Sequence, residues 1–564
     1  MRIVRARFVA AIVLLTMSAA AHADDYSLDD VAIVTSLATY RARHVDVVGA
    51  ALSRDDALKL LAVGGASSAA EGLAKIDAAR ISIPELVSET RAGDFAQTTV
   101  YHDVAIERVA HGVADSVAAA GLTIESRRGA ETAKGRFGAL HAEGVDFPAA
   151  ARMTLEQRTS PDQPKQQIMA TLSLLDIRID VPDGGGLAVD RLTGRNFGGR
   201  PLAASMSGLV ELAPRPGQPP DARTQQAVAA MISDLLASID IGALEMDGLQ
   251  IKTGAAADNS EAPGAMKARH VALAGVADGK VASFTMEGID SAGPADAFHI
   301  DRIALSGFDA RPAFAADVGA GARAAPHFDH AEIAGASIAA DGAPVSIGAI
   351  TVDARDWMDL TPTSLVARAE HIVTSLTGAG VRRSPQLAAL GYDRLDLSAA
   401  LDLNLDRDKH ELSLNDLSLR DDAVGGVRLS GVFGHVSPDL FSGVEDRMRN
   451  ALLSIVVWRA ALRLENRGAL DRYVDALAKA NGMTPAVMRG KLAATARAMA
   501  LALFTTRPDP RADVVAHAAS AFVEGARTFD LSLAAPQGVG AIDLMMAGQL
   551  GVLMDKLKID ANAK

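Results

Sequence analysis

Several stretches of the chain alternate apolar and polar residues, pass through one Gly or Asp, and then alternate again in the opposite phase. The clearest are ALEMDGLQI, centred on Gly248, and LSLNDLSL, centred on Asp416. Because side chains on a strand point to alternate faces, a slip of one residue would turn half of the apolar set toward water. An extra residue at the centre, as in a β-bulge, would restore the face, and Gly adopts the torsions that some bulges need. We therefore predict bulged or sharply bent strands, with a short turn between two small strands as the alternative at the Asp centres.

The same pattern recurs along the chain at irregular spacing. Its further centres are Gly144, Asp176, Gly275, Gly288, Gly307 and Gly335. A solenoid would show a fixed period, so the repetition concerns the type of strand and does not indicate a countable array. The prediction is an α+β protein built mainly from long, twisted and bulged antiparallel β-sheets with packed helices.

One long strand without the phase slip has a wholly apolar face. Between Leu395 and Leu405 the odd positions are apolar and most even positions are polar, which is typical of an antiparallel strand with one dry face. The turn Asp406 to Lys409 leads back into the strand around Asp416, which indicates a meander. If this face is an open groove, the residues that contact its ligand are Leu395, Leu397, Leu401, Leu403 and Leu405. The alternative is that these leucines form an ordinary two-layer core.

Helical periodicity predicts helices near the N-terminus, over residues 28–75, and again in the C-terminal quarter, where Gly482 ends one helix and Thr484-Pro485 begins the next. Four prolines between Pro214 and Pro220 cannot hold a sheet ladder and mark a linker or a domain edge. The predicted organisation has four parts after the first 23 residues. They are a helical and then β-rich region over 24–213, a Pro-rich linker or edge at 214–223, a β-rich region with repeat-like strands over 224–355, and a β-meander followed by helices over 356–564.

The first 23 residues have the composition of a cleavable signal peptide. Three arginines precede the apolar run from Phe8 to Met17, and Ala21-His22-Ala23 matches a cleavage site. The apolar run is shorter than the roughly 20 residues that span a bilayer, so we expect no transmembrane anchor after cleavage. The sequence thus predicts a periplasmic or secreted protein whose signal is cut after Ala23.

Charge and composition narrow the classes of partner. The formal net charge is −13, so the chain has no broad positive field for phosphates, and nucleic acid is not an expected partner. The absence of Cys excludes disulfides, thiol nucleophiles and Cys-ligated metals. Only 4% of the residues are aromatic, so an apolar binding surface on this chain would be aliphatic.

The sequence contains no motif that carries catalysis. His327-Phe328-Asp329-His330 places two imidazoles and a carboxylate within four residues, but it adjoins a loop and no second His pair lies nearby, so we interpret it as a surface segment or the start of a strand. The acidic run from Asp402 to Asp408 lacks the Gly and Glu of a calcium loop. We predict no metal, no cofactor and no catalytic residue. A hydrolase whose triad assembles only in space is the third candidate.

The glycine-centred strands EGVDF, DGLQI and SGFDA, the long alternating strands, the signal and the lack of Cys resemble the large exported β-repeat proteins of Gram-negative envelopes, the AsmA-like and YdgA-like groups. The resemblance lies in the general pattern of strands over residues 130–435, and no invariant motif carries it. In these groups long sheets form an apolar groove associated with lipid handling in the periplasm, and the resemblance implies a similar role here. AsmA-like proteins usually keep an N-terminal membrane anchor, whereas the signal of this chain is of the cleavable type.

The expected function is therefore that of an exported, non-catalytic protein. Its expected partner is a lipid or another apolar small molecule, which it binds or shields on a β-sheet groove. The alternative is an envelope scaffold or protein-interaction module, whose partner is another envelope protein docked on strand edges or C-terminal helices.

Overall fold

The computed structural model describes most of the chain beyond the predicted signal. The described residues are 24–35, 38–61, 66–93, 95–129, 131–182, 184–204, 222–253, 264–292, 297–314, 326–340, 343–358, 361–377, 385–442, 444–502, 510–540, 543 and 556–564. The predicted signal peptide and the predicted linker up to residue 221 lie outside these ranges.

The chain divides into two compact units. The N-terminal unit comprises residues 1–263 and 272–279, and the C-terminal unit comprises residues 264–271 and 280–564. Antiparallel strands make up most of the structure, and several helices accompany them, which confirms the predicted β-rich fold at this coarse level.

The N-terminal unit contains eleven complete strands and four helices in its described part. The strands are β1 (Asp24–Val34), β2 (Ala38–Ala50), β3 (Ala78–Ala92), β4 (Phe95–Ala110), β5 (Val113–Ala119), β6 (Gly121–Arg128), β7 (Glu131–Phe137), β8 (Leu140–Asp146), β9 (Gln166–Asp180), β10 (Gly186–Gly199) and β11 (Ile239–Lys252). The helices are α1 (Arg54–Leu61), α2 (Ala66–Leu73), α3 (Phe147–Leu155) and α4 (Ala222–Ser238).

The sheet of this unit branches and closes again. Strands β1 to β4 pair in sequence order. The long strand β4 then pairs with β6 along its first half and with β5 along its second half. Strands β7 and β8 continue the two branches, both pair with β9, and β10 and β11 follow.

The predicted N-terminal helical region is wrong over its first half, because residues 28–50 belong to strands β1 and β2, and helices begin only at Arg54. The error has a physical cause. Asp30 adopts a left-handed backbone with φ of 52°. This conformation brings Leu28 and Val31 into the same core, although they are three residues apart. Spacing of three is also the mark of a helical stripe, so the sequence pattern was ambiguous.

The C-terminal unit is a meander. Strand β12 (Ala265–Ala277) is divided between the two units. The strands that follow are β13 (Lys280–Ala292), β14 (Phe298–Asp309), β15 (His330–Ala340), β16 (Ala343–Met358), β17 (Thr361–Ser375), β18 (Arg394–Asp406), β19 (Glu411–Asp421), β20 (Gly425–Gly434), β21 (Val456–Asn466), β22 (Thr528–Gly540) and β23 (Lys558–Ala563). From β13 to β23 each strand pairs antiparallel with the next strand in the chain.

The helices of this unit lie between β17 and β18, between β20 and β21, and between β21 and β22. They are α5 (Pro385–Ala389), α6 (Glu445–Ser454), α7 (Ala469–Ala480), α8 (Pro485–Ala502) and α9 (Pro510–Glu524), with short 3-10 turns at Arg311–Phe314 and Pro438–Phe441. Helix α7 ends next to Gly482, which has φ of 63°, and α8 begins at Pro485, as the sequence indicated. The predicted boundary between residues 355 and 356 falls inside β16, and the pairing of β16 with β17 continues through this position.

The phase slip at Asp416 is a β-bulge. Asp402 of β18 faces Asp416, whereas Leu403 faces Leu414, so Asn415 is an extra residue in β19. The register of β19 with β20 shifts at the same place, between Leu414 and Leu417. The prediction of an extra residue is confirmed here.

At the other seven centres, the alternation changes phase at a residue with a positive φ. These residues are Gly144, Asp176, Gly248, Gly275, Gly288, Gly307 and Gly335. At Gly248, however, the pairing of β10 with β11 keeps one register throughout, so the predicted extra residue is absent and a single left-handed residue turns the strand. A Cβ on Gly248 would lie 2.1 Å from Oδ2 of Asp190 on the neighbouring strand, which explains why this position holds Gly.

Candidate functional site: an apolar sheet face

Two rows of apolar side chains run across strands β13 to β20, and we call them together the apolar face. Residues that pair directly across antiparallel strands point to the same side of the sheet. The first row is Phe284, Leu305, Ala331, Val352, Ala367, Leu401, Leu417 and Leu429. The second row is Met286, Ile303, Ile333, Ile350, Ala369, Ala399, Leu419 and Val427. Eight successive strands thus contribute to one aliphatic surface.

The opposite side of the same strands is polar. The row that alternates with the two apolar rows is Thr285, Ala304, Glu332, Thr351, Arg368, Ala400, Ser418 and Arg428. Antiparallel sheets with one packed face and one wet face show this alternation. The sheet is therefore strongly one-sided, and its apolar side needs a covering layer or a ligand.

The large side chains of the apolar face are half-buried or exposed. Leu417, Leu419 and Leu429 are 43%, 47% and 39% exposed, the highest values among them. Strands β13 to β20 make their main contacts with their neighbours in the sheet, whereas α9 packs on β22 and β23. Within the described residues, this face lacks the second layer that an ordinary core would supply.

The five leucines predicted to contact a ligand fall into two groups. Leu395 and Leu405 are buried, and Leu395 packs with Leu376 and Tyr392 in a small core beside α5. Leu397 is half-buried and packs against the same small core, whereas Leu401 and Leu403 are half-buried on the same side of β18 as the apolar face. Leu401 and Leu403 therefore belong to the face, and Leu395, Leu397 and Leu405 belong to internal packing.

Sequence reasoning missed most of the apolar face, because it considered β18 alone. The strands β13 to β16 contribute Met286, Ile303, Ile333 and Ile350, whose positions in register appear only when the strands are paired. The sequence did contain a signal, since ITVDA in β16 places Ile350, Val352 and Ala354 in simple alternation. Pairing every alternating segment with the next one would have aligned the two rows.

Two clusters of titratable groups lie on polar strand faces. His44 lies 2.7 Å from Asp29 and 3.0 Å from Asp46, and His299 makes the same contacts with Asp290 and Asp301. Hydrogen bonding to Asp29 and the charge of Asp46 raise the pKa of His44 above its usual range. Hydrogen bonds to Asp290 and Asp301 likewise raise the pKa of His299.

The arrangement around His44 is not that of a hydrolase. The Ser27 hydroxyl lies 2.6 Å from Asp46 Oδ1 and donates to that carboxylate, so it is not activated by an imidazole base. Among the residues that the structure describes, no group of three or more His, Asp or Glu side chains is arranged to hold a metal ion.

The segment His327 to His330 has structural contacts. The His327 ring stacks on Trp357 with 4.6 Å between centroids, and His330 Nδ1 lies 2.9 Å from Asp353. Strand β15 begins at His330, which confirms its interpretation as the start of a strand. None of the helices in the described ranges is long and apolar enough to cross a membrane.

Comparison with known proteins adds one match. A family model described only as an uncharacterized protein matches residues 417–564, a segment that begins within β19 and continues through the C-terminal helices to β23. No curated protein and no solved structure matches the chain. The match covers about a quarter of the chain, and its description names no activity.

Proposed function

We propose that the protein is an exported, non-catalytic protein whose apolar face binds the hydrocarbon part of a lipid or of another apolar molecule. The observation that carries the proposal is the exposure of Leu417, Leu419 and Leu429, at 39% to 47%, on a face that eight strands share. Contiguous exposed apolar surface of this kind marks interaction sites in folded proteins.

The energetics favour an extended hydrocarbon ligand. Covering about 200 Å² of apolar surface contributes roughly 5 kcal/mol before the costs of association. The two rows hold aliphatic side chains with few aromatic rings and no charge, so they offer contact area without fixed polar partners. Such a surface binds a chain by its length and apolar area, and the identity of the headgroup is left to other residues.

Export is part of the same proposal. Its support is the signal-like sequence of residues 1–23. The resemblance to envelope β-repeat proteins points in the same direction, since those proteins handle lipids in the periplasm.

Binding of a dansylated dodecanoic acid to delipidated protein from the periplasmic fraction tests the proposal. We expect saturable binding by the unmodified chain, and binding about tenfold weaker when Leu417→Gln and Leu429→Gln are combined, because two facing leucines lose apolar contact with the ligand. Both leucines are exposed, so the unfolding temperature should change little. Sequencing of the same sample should give Asp24 as its first residue.

The matched control is Val113→Gln on β5 of the N-terminal unit, where Val113 is 39% exposed. This variant should bind the fatty acid as the unmodified chain does. Absence of saturable binding by the unmodified protein, or equal affinity of the double variant and the control, would refute the proposed role of the apolar face.

A second candidate function is an envelope interaction module, and one observation favours it. Met448 and Leu452 lie four residues apart on α6 and are 37% and 55% exposed, and Val444, the N-cap residue of this helix, is 40% exposed. A stripe with this spacing suits a protein partner with an apolar groove. Native mass spectrometry of the periplasmic protein distinguishes the two candidates, since it detects either a bound lipid or a bound polypeptide.

A further inference from the structure

An apolar cavity of about 200 Å³ lies inside the N-terminal unit, between strands β1 to β4 and helices α1 and α2. Leu28, Val45 and Val47 line it from the strands and are 4%, 8% and 7% exposed. Ile81 and Leu86 of β3 complete the wall. The cavity is separate from the apolar face of the C-terminal unit, and its function does not depend on the function proposed for that face.

Small residues keep this space open. Four alanines line the cavity and are buried: Ala42, Ala50, Ala57 and Ala78. An unfilled cavity destabilises a core in proportion to its volume. A larger aliphatic side chain at any of these alanines would fill part of the space, so the sequence retains room that packing alone does not require.

The lining selects an uncharged occupant. The carboxylate of Asp77, the single charged group that lines the cavity within the described residues, accepts a hydrogen bond from the backbone N–H of His111. Tyr40, at 37% exposure, is the most exposed residue of the lining, which points to an opening of the cavity to solvent at this residue. A polar or charged ligand would lose its hydration here without a partner in exchange.

We propose that this cavity binds the end of an unbranched alkyl chain. Apolar cavities of about 150 Å³ stay dry and bind molecules the size of benzene. At about 30 Å³ for each methylene-sized group, the present cavity accommodates roughly six or seven such groups. The aliphatic walls fit a flexible chain, and the opening beside Tyr40 leaves the polar end of the ligand in water.

Photolabelling with an octanol that carries a diazirine on its last carbons tests the proposal in the full chain. We expect saturable labelling of peptides from β1 to β3, and suppression of this labelling by excess unlabelled 1-octanol. Ala57→Leu fills the cavity from α1 and should reduce the labelling of these peptides at least fivefold. Ala32→Leu makes the same change on the exposed face of β1 and should leave the labelling unchanged.

Two results would overturn the proposal. One is labelling of β1 to β3 that does not saturate or that 1-octanol does not suppress in the unmodified chain. The other is equal labelling of the folded Ala57→Leu variant and the control. If Ala57→Leu lowers the unfolding temperature, the competition experiment on the unmodified chain decides. Labelled peptides from β13 to β20 report the apolar face independently, so the two sites cannot be confused.

Discussion

The two units use the same kind of one-sided strand but treat its apolar side differently. In the N-terminal unit, Leu28, Val45 and Val47 of β1 and β2 are buried in a core cluster. In the C-terminal unit, Leu417 and Leu429, which face each other on β19 and β20, are 43% and 39% exposed. Alternation along a strand determines which side is apolar, and it says nothing about what covers that side.

The connections between strands explain the difference. In the N-terminal unit, the chain between β2 and β3 forms α1 and α2, and these helices line the same cavity as the apolar side chains of the strands. In the C-terminal unit, residues 407–410 join β18 to β19 and residues 422–424 join β19 to β20, the strands that carry Leu417 and Leu429. A hairpin turn of this length has no residues left to form a covering helix. The exposure of these two leucines is therefore a consequence of the short connections.

The largest effect that tests this comparison is expected from removing matched leucines. Leu28→Ala should destabilise the N-terminal unit by about 3 kcal/mol, because it deletes a buried side chain and enlarges an existing cavity. Leu417→Ala should change the stability of the C-terminal unit by less than about 1 kcal/mol, since this side chain is already 43% exposed. Hydrogen exchange reports the two units separately. Equal effects of the two substitutions would show that a second layer covers the apolar face after all.

A smaller loss of stability is expected from replacing the left-handed residues within strands. In both units these residues keep the apolar side chains before and after them on the same side of the sheet. Gly335 has φ of 60°, and a Cβ there would lie 1.8 Å from Oδ2 of Asp301. We expect Gly335→Ala to destabilise the C-terminal unit by about 2 kcal/mol, from strain of the left-handed backbone and from the clash. Urea denaturation, followed by hydrogen exchange in β14 and β15, measures it.

Gly129 provides the control for this substitution. It has φ of 56° in the turn after β6, and nothing lies within 4 Å of a Cβ built on it. Gly129→Ala should therefore show only the backbone strain, about 1 kcal/mol. Asp301→Ala combined with Gly335→Ala should recover the difference between the two. If Gly335→Ala costs no more than Gly129→Ala, the carboxylate moves aside freely.

How much of this structure the sequence predicts depends on the range of the interaction involved. The face of each strand is local information, and the centres at Gly248 and Asp416 were found from alternation alone. The backbone structure at each centre was not predictable. A β-bulge at Asp416 and an in-register left-handed residue at Gly248 produce the same pattern of alternation in the sequence. The covering of a face is long-range information. Leu395 and Leu401 look alike in sequence, yet α5 packs beside the first, and the second lies on the uncovered face.

The N-terminal cavity was missed for a related reason. Residues 28–75 were predicted to be helical, and a helical interpretation leaves no sheet for a cavity to form on. The apolar face was only partly found, because one strand was interpreted without its partners. Finding the cavity and the whole apolar face requires knowing which strands pair with each other, and a single sequence does not supply that information.

The smallest expected effect is a pH response that both units share. His44 in the N-terminal unit and His299 in the C-terminal unit are each 44% exposed and lie 2.7 Å and 3.0 Å from two carboxylates. These carboxylates raise the pKa of both imidazoles. A group whose pKa is higher in the folded chain stabilises the fold fully below its unfolded pKa of about 6.5 and loses that contribution as the pH rises through the folded value. Exposure keeps the effect small.

We therefore expect His44→Gln and His299→Gln to lower the stability of their own units at about pH 6, and to lower it less as the pH rises from there through the raised pKa values of the two imidazoles. Hydrogen exchange across this pH range measures the change in each unit. Asp29→Asn and Asp290→Asn remove one carboxylate from each cluster and should flatten the same pH dependence. A difference between variant and unmodified protein that stays constant with pH would mean that the clusters do not act through protonation. An equal pH dependence of stability in the two units would show that the His–carboxylate clusters on their polar faces act in the same way. The two units would then differ in what covers the apolar side of their strands.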